Sequence, residues 1–186
     1  MISLTDKTAL IIIDVQDGLD DPRLGQRNNP DAERNMARLL AHWRTTGRPI
    51  YHVQHMSTNP TSTLRPNQPG NAIKRIVAPQ DDEPVIQKMV SNAFVGTDLE
   101  NRLREEGIQS VVIVGLTTEH CVSTTARMAG DLGFTTVVVA DATACHDHSG
   151  YDGLHYPAET VHAIALVSLQ NEFATILKTD QLLDKG

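Results

Sequence analysis

The run "TALIIID" (8–14) constrains the fold more than any other stretch: it is almost unbroken in apolar residues until Asp14. A strand with one wet face alternates apolar and polar residues, whereas an unbroken run fits a strand covered on both faces. "SVVIVG" (110–115) and "TTVVVAD" (135–141) repeat this character, and "PIYHVQH" (49–55), "VIQK" (85–88) and "ATILKT" (174–179) read as further strands. Helical segments alternate with them. "NPDAERNMARLLAHWRTTG" (29–47) offers Asn29 as cap, Pro30 at the first position, Gly47 as terminator and an apolar face of Met36, Leu39, Leu40 and Trp43. "TDLENRLREEG" (97–107) carries a Thr97–Glu100 capping box, "TEHCVSTTARMAGDLG" (118–133) stops at Gly133, and "PAETVHAIALVSLQNEF" (157–173) opens on proline and glutamate.

Strand–helix alternation of this kind predicts an α/β fold: three layers, α/β/α, around an open, mainly parallel, doubly wound sheet. At 186 residues the chain is expected to form a single domain, 1–186. One stretch breaks the rhythm. Residues 56–84 hold five prolines and little periodicity, and a loop of that length is read as a lid or binding loop. The net charge of −7 has no offsetting basic cluster, which argues against a nucleic-acid partner. No apolar run approaches the roughly 20 residues that span a bilayer, and the first residues lack the pattern of a secretory leader. The chain is therefore expected to be cytoplasmic, with Cys121 and Cys145 both as free thiols.

Ligands of doubly wound folds bind beyond the carboxyl ends of the strands. Asp14 ends the first strand, His55 the second and Lys88 the third, and Cys121 follows the strand that ends at Gly115. These residue types suit nucleophilic chemistry. A thiol needs deprotonation, a helix start and a nearby lysine favour the thiolate, and a carboxylate can take the proton and later return it. The turn "GLTTEHC" adds backbone N–H groups of Thr117 and Cys121 as donors to an oxyanion. Gln16 is a candidate to orient Asp14 or touch substrate, and Phe94 to wall the pocket. His120 is read as aimed away from the chemistry and Cys145 as a small packed residue, while His162 is expected to make a local hydrogen bond.

The segments "LIIIDVQDG", "VIQKMVSNAFVGTDLENRLREEGI" and "VVIVGLTTEHCVSTTARMAGDLGF" together resemble the isochorismatase-like cysteine hydrolases, over about residues 8–180. The resemblance implies a triad of Asp14, Lys88 and Cys121, a non-proline cis peptide between Leu116 and Thr117, and a homodimer or homotetramer. Nicotinamidases of that superfamily carry an Asp-x-His metal site near the second strand. Here "YHVQHMSTNP" keeps His52 and His55 but lacks the aspartate, so nicotinamidase itself is disfavoured and His55 is read as a substrate-wall residue. His146, His148 and His155 are irregularly spaced in a glycine-containing loop and are read as part of a lid or subunit contact. No metal and no cofactor is expected. The expected reaction is hydrolysis of an amide, ureide or carbamoyl C–N bond in a small molecule through a thioester. The alternatives are vinyl-ether hydrolysis, as in authentic isochorismatases, and a non-catalytic redox-sensing thiol on the same fold.

Overall fold

In the computed structural model, which describes residues 5–184, the strands are β1 (Thr8–Ile13), β2 (Ile50–His55), β3 (Val85–Lys88), β4 (Ser110–Leu116), β5 (Thr135–Ala144) and β8 (Thr175–Leu177). They form one sheet in the order β3-β2-β1-β4-β5-β8, with every neighbouring pair parallel. The helices are α1 (Ala32–Thr46), α2 (Leu99–Glu105), α3 (Ser123–Asp131), α4 (Ala158–Leu169) and α5 (Thr179–Leu183). A two-stranded ribbon, β6 (His148–Ser149) with β7 (His155–Tyr156), stands apart from the sheet. Among the described residues no helix is long and apolar enough to cross a membrane.

The apolar run of β1 is buried along its whole length because both its faces are covered. Leu10 and Ile12 meet Met36, Leu39, Leu40 and Trp43 of α1 and Leu182 of α5. Ile11 and Ile13 meet Leu99 and Leu103 of α2, Ala126 and Ala129 of α3 and Leu166 and Leu169 of α4. Trp43, fully buried, donates its indole N–H to the Thr8 carbonyl at 2.9 Å, so the largest side chain of the core carries no unpaired donor. Winding runs outward from β1 in both directions. The switch point therefore lies between β1 and β4, and the crevice at their carboxyl ends is the expected ligand position.

Several local expectations resolve differently. Asn29 does not cap α1, whose N-terminal flank is Asp31. Instead its side-chain amide donates to the carbonyls of Ala140 and Thr143, at 2.9 and 2.7 Å, and Asn35 donates to that of Asp141 at 2.8 Å. These carbonyls lie where β5 slips register against β4, between the pairs Ile113–Val138 and Gly115–Thr143. Two asparagines thus serve acceptors in the stretch where the ladder is irregular. The Thr97–Glu100 capping box is absent as well: Thr97 donates to the Ala93 carbonyl at 2.6 Å, and Glu100 pairs with Arg104 at 2.9 Å. The final strand is shorter than 174–179, and α5 follows it, tied by Thr179 to Asp141.

Candidate active site

β1 delivers Asp14 into a left-handed conformation, φ +50°, directly beyond its last paired residue. β3 delivers Lys88, whose ammonium reaches Asp14 Oδ2 at 2.6 Å, His55 Nδ1 at 3.2 Å and the Val90 carbonyl at 3.1 Å. Three acceptors thus meet the three donors of the ammonium. Both charged side chains are almost completely buried. Asp14 Oδ1 is buried too and has no hydrogen-bond partner of regular geometry among the described residues.

β4 delivers the nucleophile turn. Gly115, at φ +129°, lies so close to β1 that a Cβ would overlap the Ile13 backbone. The Leu116–Thr117 peptide bond is cis. The chain then winds a single π-helical turn, Thr118–Val122, before α3 begins. This differs from the continuous α-helix expected over 118–133, and it places Cys121 in the wider turn. Buried Thr118 anchors the turn through a 2.9 Å hydrogen bond between its hydroxyl and His162 Nδ1. The segment joining Lys88 to α2 is pinned to α3, since Asn92 donates to the Thr124 carbonyl and Ala93 N–H donates to Thr125 Oγ1, both at 3.1 Å. Residues between Lys88 and Thr97 thereby fix the lysine strand against the cysteine helix.

Asp14, His55, Leu116, Thr117 and Cys121 line one cavity of about 420 Å³ at the carboxyl ends of the strands. Ser62 and Leu64 of the long loop, Leu19 and Leu24 of the segment after β1, and Glu119, His120, His146, Asp147 and His148 complete most of its wall. A second cavity, about 270 Å³, opens at the amino end of β2 between Arg44, Arg48, Glu83 and Glu106, and its lining holds neither a cysteine nor a serine.

The electrostatics of the site correct one expectation. A helix start and a lysine were expected to lower the Cys121 pKa. Instead burial, and then the charge of Asp14, push it up to about 12, with Lys88 only partly offsetting them. The resting sulfur is a neutral thiol, half-buried on the cavity wall it shares with Asp14. Asp14 is itself raised above the ordinary carboxylate range by burial, against the opposing charge and hydrogen bond of Lys88 and the hydrogen bond from the thiol. His55 is pulled down to about 4 by burial and then by Lys88, so at neutral pH it is an uncharged acceptor for the ammonium.

Gln16 and Phe94, expected at the substrate, stand elsewhere. Gln16 is fully buried, and its amide staples β1 to the chain beyond β2: it donates to the carbonyls of His55 at 3.1 Å and Asn71 at 2.8 Å, and accepts from the His55 N–H at 2.8 Å. Phe94 lies outside the cavity lining and stacks on Phe134, ring centroids 6.2 Å apart. The two histidines near the second strand part company. His52 is buried with Nε2 2.8 Å from Glu83, while His55 faces Lys88. Cys145 is fully buried and donates to the Ala158 carbonyl. One group that sequence reasoning passed over is Glu119. With His120 and His148 it forms the set whose ligand atoms all lie within 4.8 Å of one another.

A parallel doubly wound sheet that gathers a thiol, a carboxyl and an ammonium at its switch point belongs to the class of α/β proteins whose ligands bind beyond the carboxyl ends of the strands. The comparisons make the class specific. The isochorismatase domain model matches residues 8–181, and the chain belongs to the isochorismatase family of hydrolases. It is 48% identical, over 97% of both chains, to the uncharacterized isochorismatase family protein YrdC of Bacillus subtilis. It is 33% identical to a streptothricin hydrolase of Streptomyces noursei, over 75% of this chain and 50% of that one. Its fold matches a solved isochorismatase-family protein of Chromobacterium violaceum with a TM-score of 0.95 at 39% identity, covering 99% of this chain and 96% of that one.

Proposed function

We propose that the protein is a cysteine-dependent hydrolase of a C–N bond of amide, ureide or carbamoyl type in a small molecule. The observation that carries this reading is that Asp14 and Cys121 line one cavity, with the Lys88 ammonium buried behind it on the Asp14 carboxylate at 2.6 Å. The resting thiol is neutral, so the reaction begins with proton transfer. Asp14 takes the proton from Cys121, and the sulfur attacks the substrate carbonyl carbon. The tetrahedral oxyanion rests on the backbone N–H groups of Thr117 and Cys121, two residues of the cavity lining. Asp14 returns the proton to the departing nitrogen, the C–N bond breaks and a thioester remains. Water then attacks the thioester while giving a proton to Asp14, and the acid and the neutral thiol are regenerated. Lys88 holds Asp14 in place and balances whichever of carboxylate or thiolate carries the negative charge.

The similarity to a streptothricin hydrolase agrees with hydrolysis of a small molecule. Burial suits the chemistry: in a half-enclosed cavity the proton passes between neighbours of raised pKa rather than to solvent. The test is an ammonia- or amine-release screen over small amides, ureides and carbamoyl compounds. On any substrate found, Cys121→Ala is expected to abolish turnover, and a quenched wild-type reaction is expected to show an acyl mass on Cys121. Full turnover by Cys121→Ala refutes the assignment.

A further inference from the structure

The cavity wall also carries a cluster that the hydrolytic steps do not use. Glu119 Oε1 stands 3.0 Å from His148 Nε2 and 3.6 Å from His120 Nε2. The two imidazoles meet nearly edge to face, centroids 5.6 Å apart at 79°. Ligand atoms about 2.0–2.2 Å from a tetrahedral metal ion lie roughly 3.3–3.6 Å from one another. The two distances from the carboxylate bracket that range, and the ligand atoms of all three residues lie within 4.8 Å of one another. Glu119 is oriented from behind, since Thr117 Oγ1 donates to its Oε1 at 3.0 Å, as expected for a carboxylate ligand with an outer hydrogen bond. Its Oε2 is buried with no partner among the described residues, which is costly for a carboxylate unless a cation stands beside it.

The geometry points to a divalent metal site formed by Glu119, His120 and His148, of the zinc type. Two imidazoles select against magnesium and calcium, which take oxygen ligands, and favour late first-row ions. Sequence separation explains why spacing did not reveal it. Glu119 and His120 come from the π-helical turn, whereas His148 arrives from the ribbon β6, held there by its pairing with Tyr156. All three line the same cavity as Cys121, so a fourth coordination position opens towards the space where a small molecule binds. Such a position takes water or an oxygen donor of the bound molecule.

Zinc binding to protein stripped by chelator and dialysis, measured by calorimetry with zinc chloride, tests this site without reference to turnover. The expected result is one equivalent of zinc per chain, with affinity falling about tenfold or more in His148→Ala and in His120→Ala. It is expected to remain unchanged in His155→Ala, a histidine of the same loop outside the cluster, and in Cys121→Ser. The His120 and His148 side chains are 62% and 38% exposed, so both variants are expected to fold, and zinc is expected to raise the melting temperature of wild type but not of His148→Ala. Absence of saturable binding overturns the proposal. So does binding that survives both histidine substitutions, or binding lost in Cys121→Ser, which would place the ion on the thiol.

Discussion

Replacing Lys88 by methionine should show how much the site's electrostatics cost when one partner is lost. Lys88 and Asp14 are paired at 2.6 Å, with side chains 0% and 2% exposed. Methionine preserves the apolar stem but leaves the Asp14 carboxyl buried beside no cation, and breaking a buried pair in this way typically costs about 3–5 kcal/mol. For a chain of this size about 1 kcal/mol moves the melting temperature by about 2–4 °C, so the expected fall is about 6–20 °C. The pair Arg102–Asp98 supplies the contrast. Its contact is similar, 2.7 Å, but its side chains are 46% and 53% exposed, and breaking it by Asp98→Ala should cost about 0.3–0.5 kcal/mol. The pH dependence follows from the direction of the Asp14 shift. Its folded pKa is already raised, and losing Lys88 raises it further. A carboxyl raised in the folded state contributes full stability below its unfolded pKa, and that stability is lost as pH rises towards the folded value. The deficit of Lys88→Met should therefore shrink as pH is lowered from 8 to 4. The double variant Asp14→Asn/Lys88→Met should recover most of it at every pH. Urea melts at both pH values measure all three. A Lys88→Met deficit no larger than that of Asp98→Ala, or one that grows on acidification, would refute the reasoning.

Two more outcomes can be checked directly. Gly115→Ala puts a Cβ into the Ile13 backbone between two central strands at φ +129°, so it should cost more than about 4 kcal/mol, whereas Gly47→Ala, at φ +64° in open space, should cost about 1–2 kcal/mol; comparable unfolding midpoints for the two would contradict the packing argument. With its pKa near 12, Cys121 should react slowly with iodoacetamide at pH 8, at a rate that climbs about tenfold per pH unit up to pH 10, and Asp14→Asn should speed it by removing a neighbouring negative charge; a rate flat between pH 7 and 10 would mean that the sulfur rests as thiolate.

Much of the fold was legible because β1 and β4 are written as unbroken apolar runs, and that pattern has few structural meanings. In the short β3 burial runs against polarity, since Val85 is exposed and Lys88 is buried. The helix starts were legible only in part: α4 opens beside Pro157 with Glu159 in its first turn, as expected, whereas α1 and α2 do not use the caps expected of them. Asn29, Thr97 and Glu100 have the side chains that cap helices, yet Asn29 serves carbonyls of β5, Thr97 donates to the Ala93 carbonyl four residues before it, and Glu100 pairs with Arg104 one turn on. Capping contributes about 1 kcal/mol, and an acceptor freed by a slipped strand register competes on equal terms. Local chemistry states what a residue can do, while tertiary structure decides which of the options is taken.

The candidate site divides along the same line. Asp14, Lys88 and Cys121 could be placed together because each follows a strand end, and a parallel sheet brings those ends to one rim. Gln16 could not be placed by its proximity to Asp14, because the chain leaves the strand at the positive φ of Asp14 and the regular alternation of side chains stops there. The thiol pKa was misjudged for a related reason. A helix start was credited with lowering it, but enclosure of the sulfur and the carboxylate beside it act in the opposite direction and prevail. That reversal matters to the chemistry. Were Cys121 a thiolate and Asp14 a carboxylate together at rest, the pair would hold no proton to hand to a leaving nitrogen. On the proposed reading, a neutral thiol against a carboxylate held by Lys88 carries the one mobile proton that C–N cleavage and thioester hydrolysis would move.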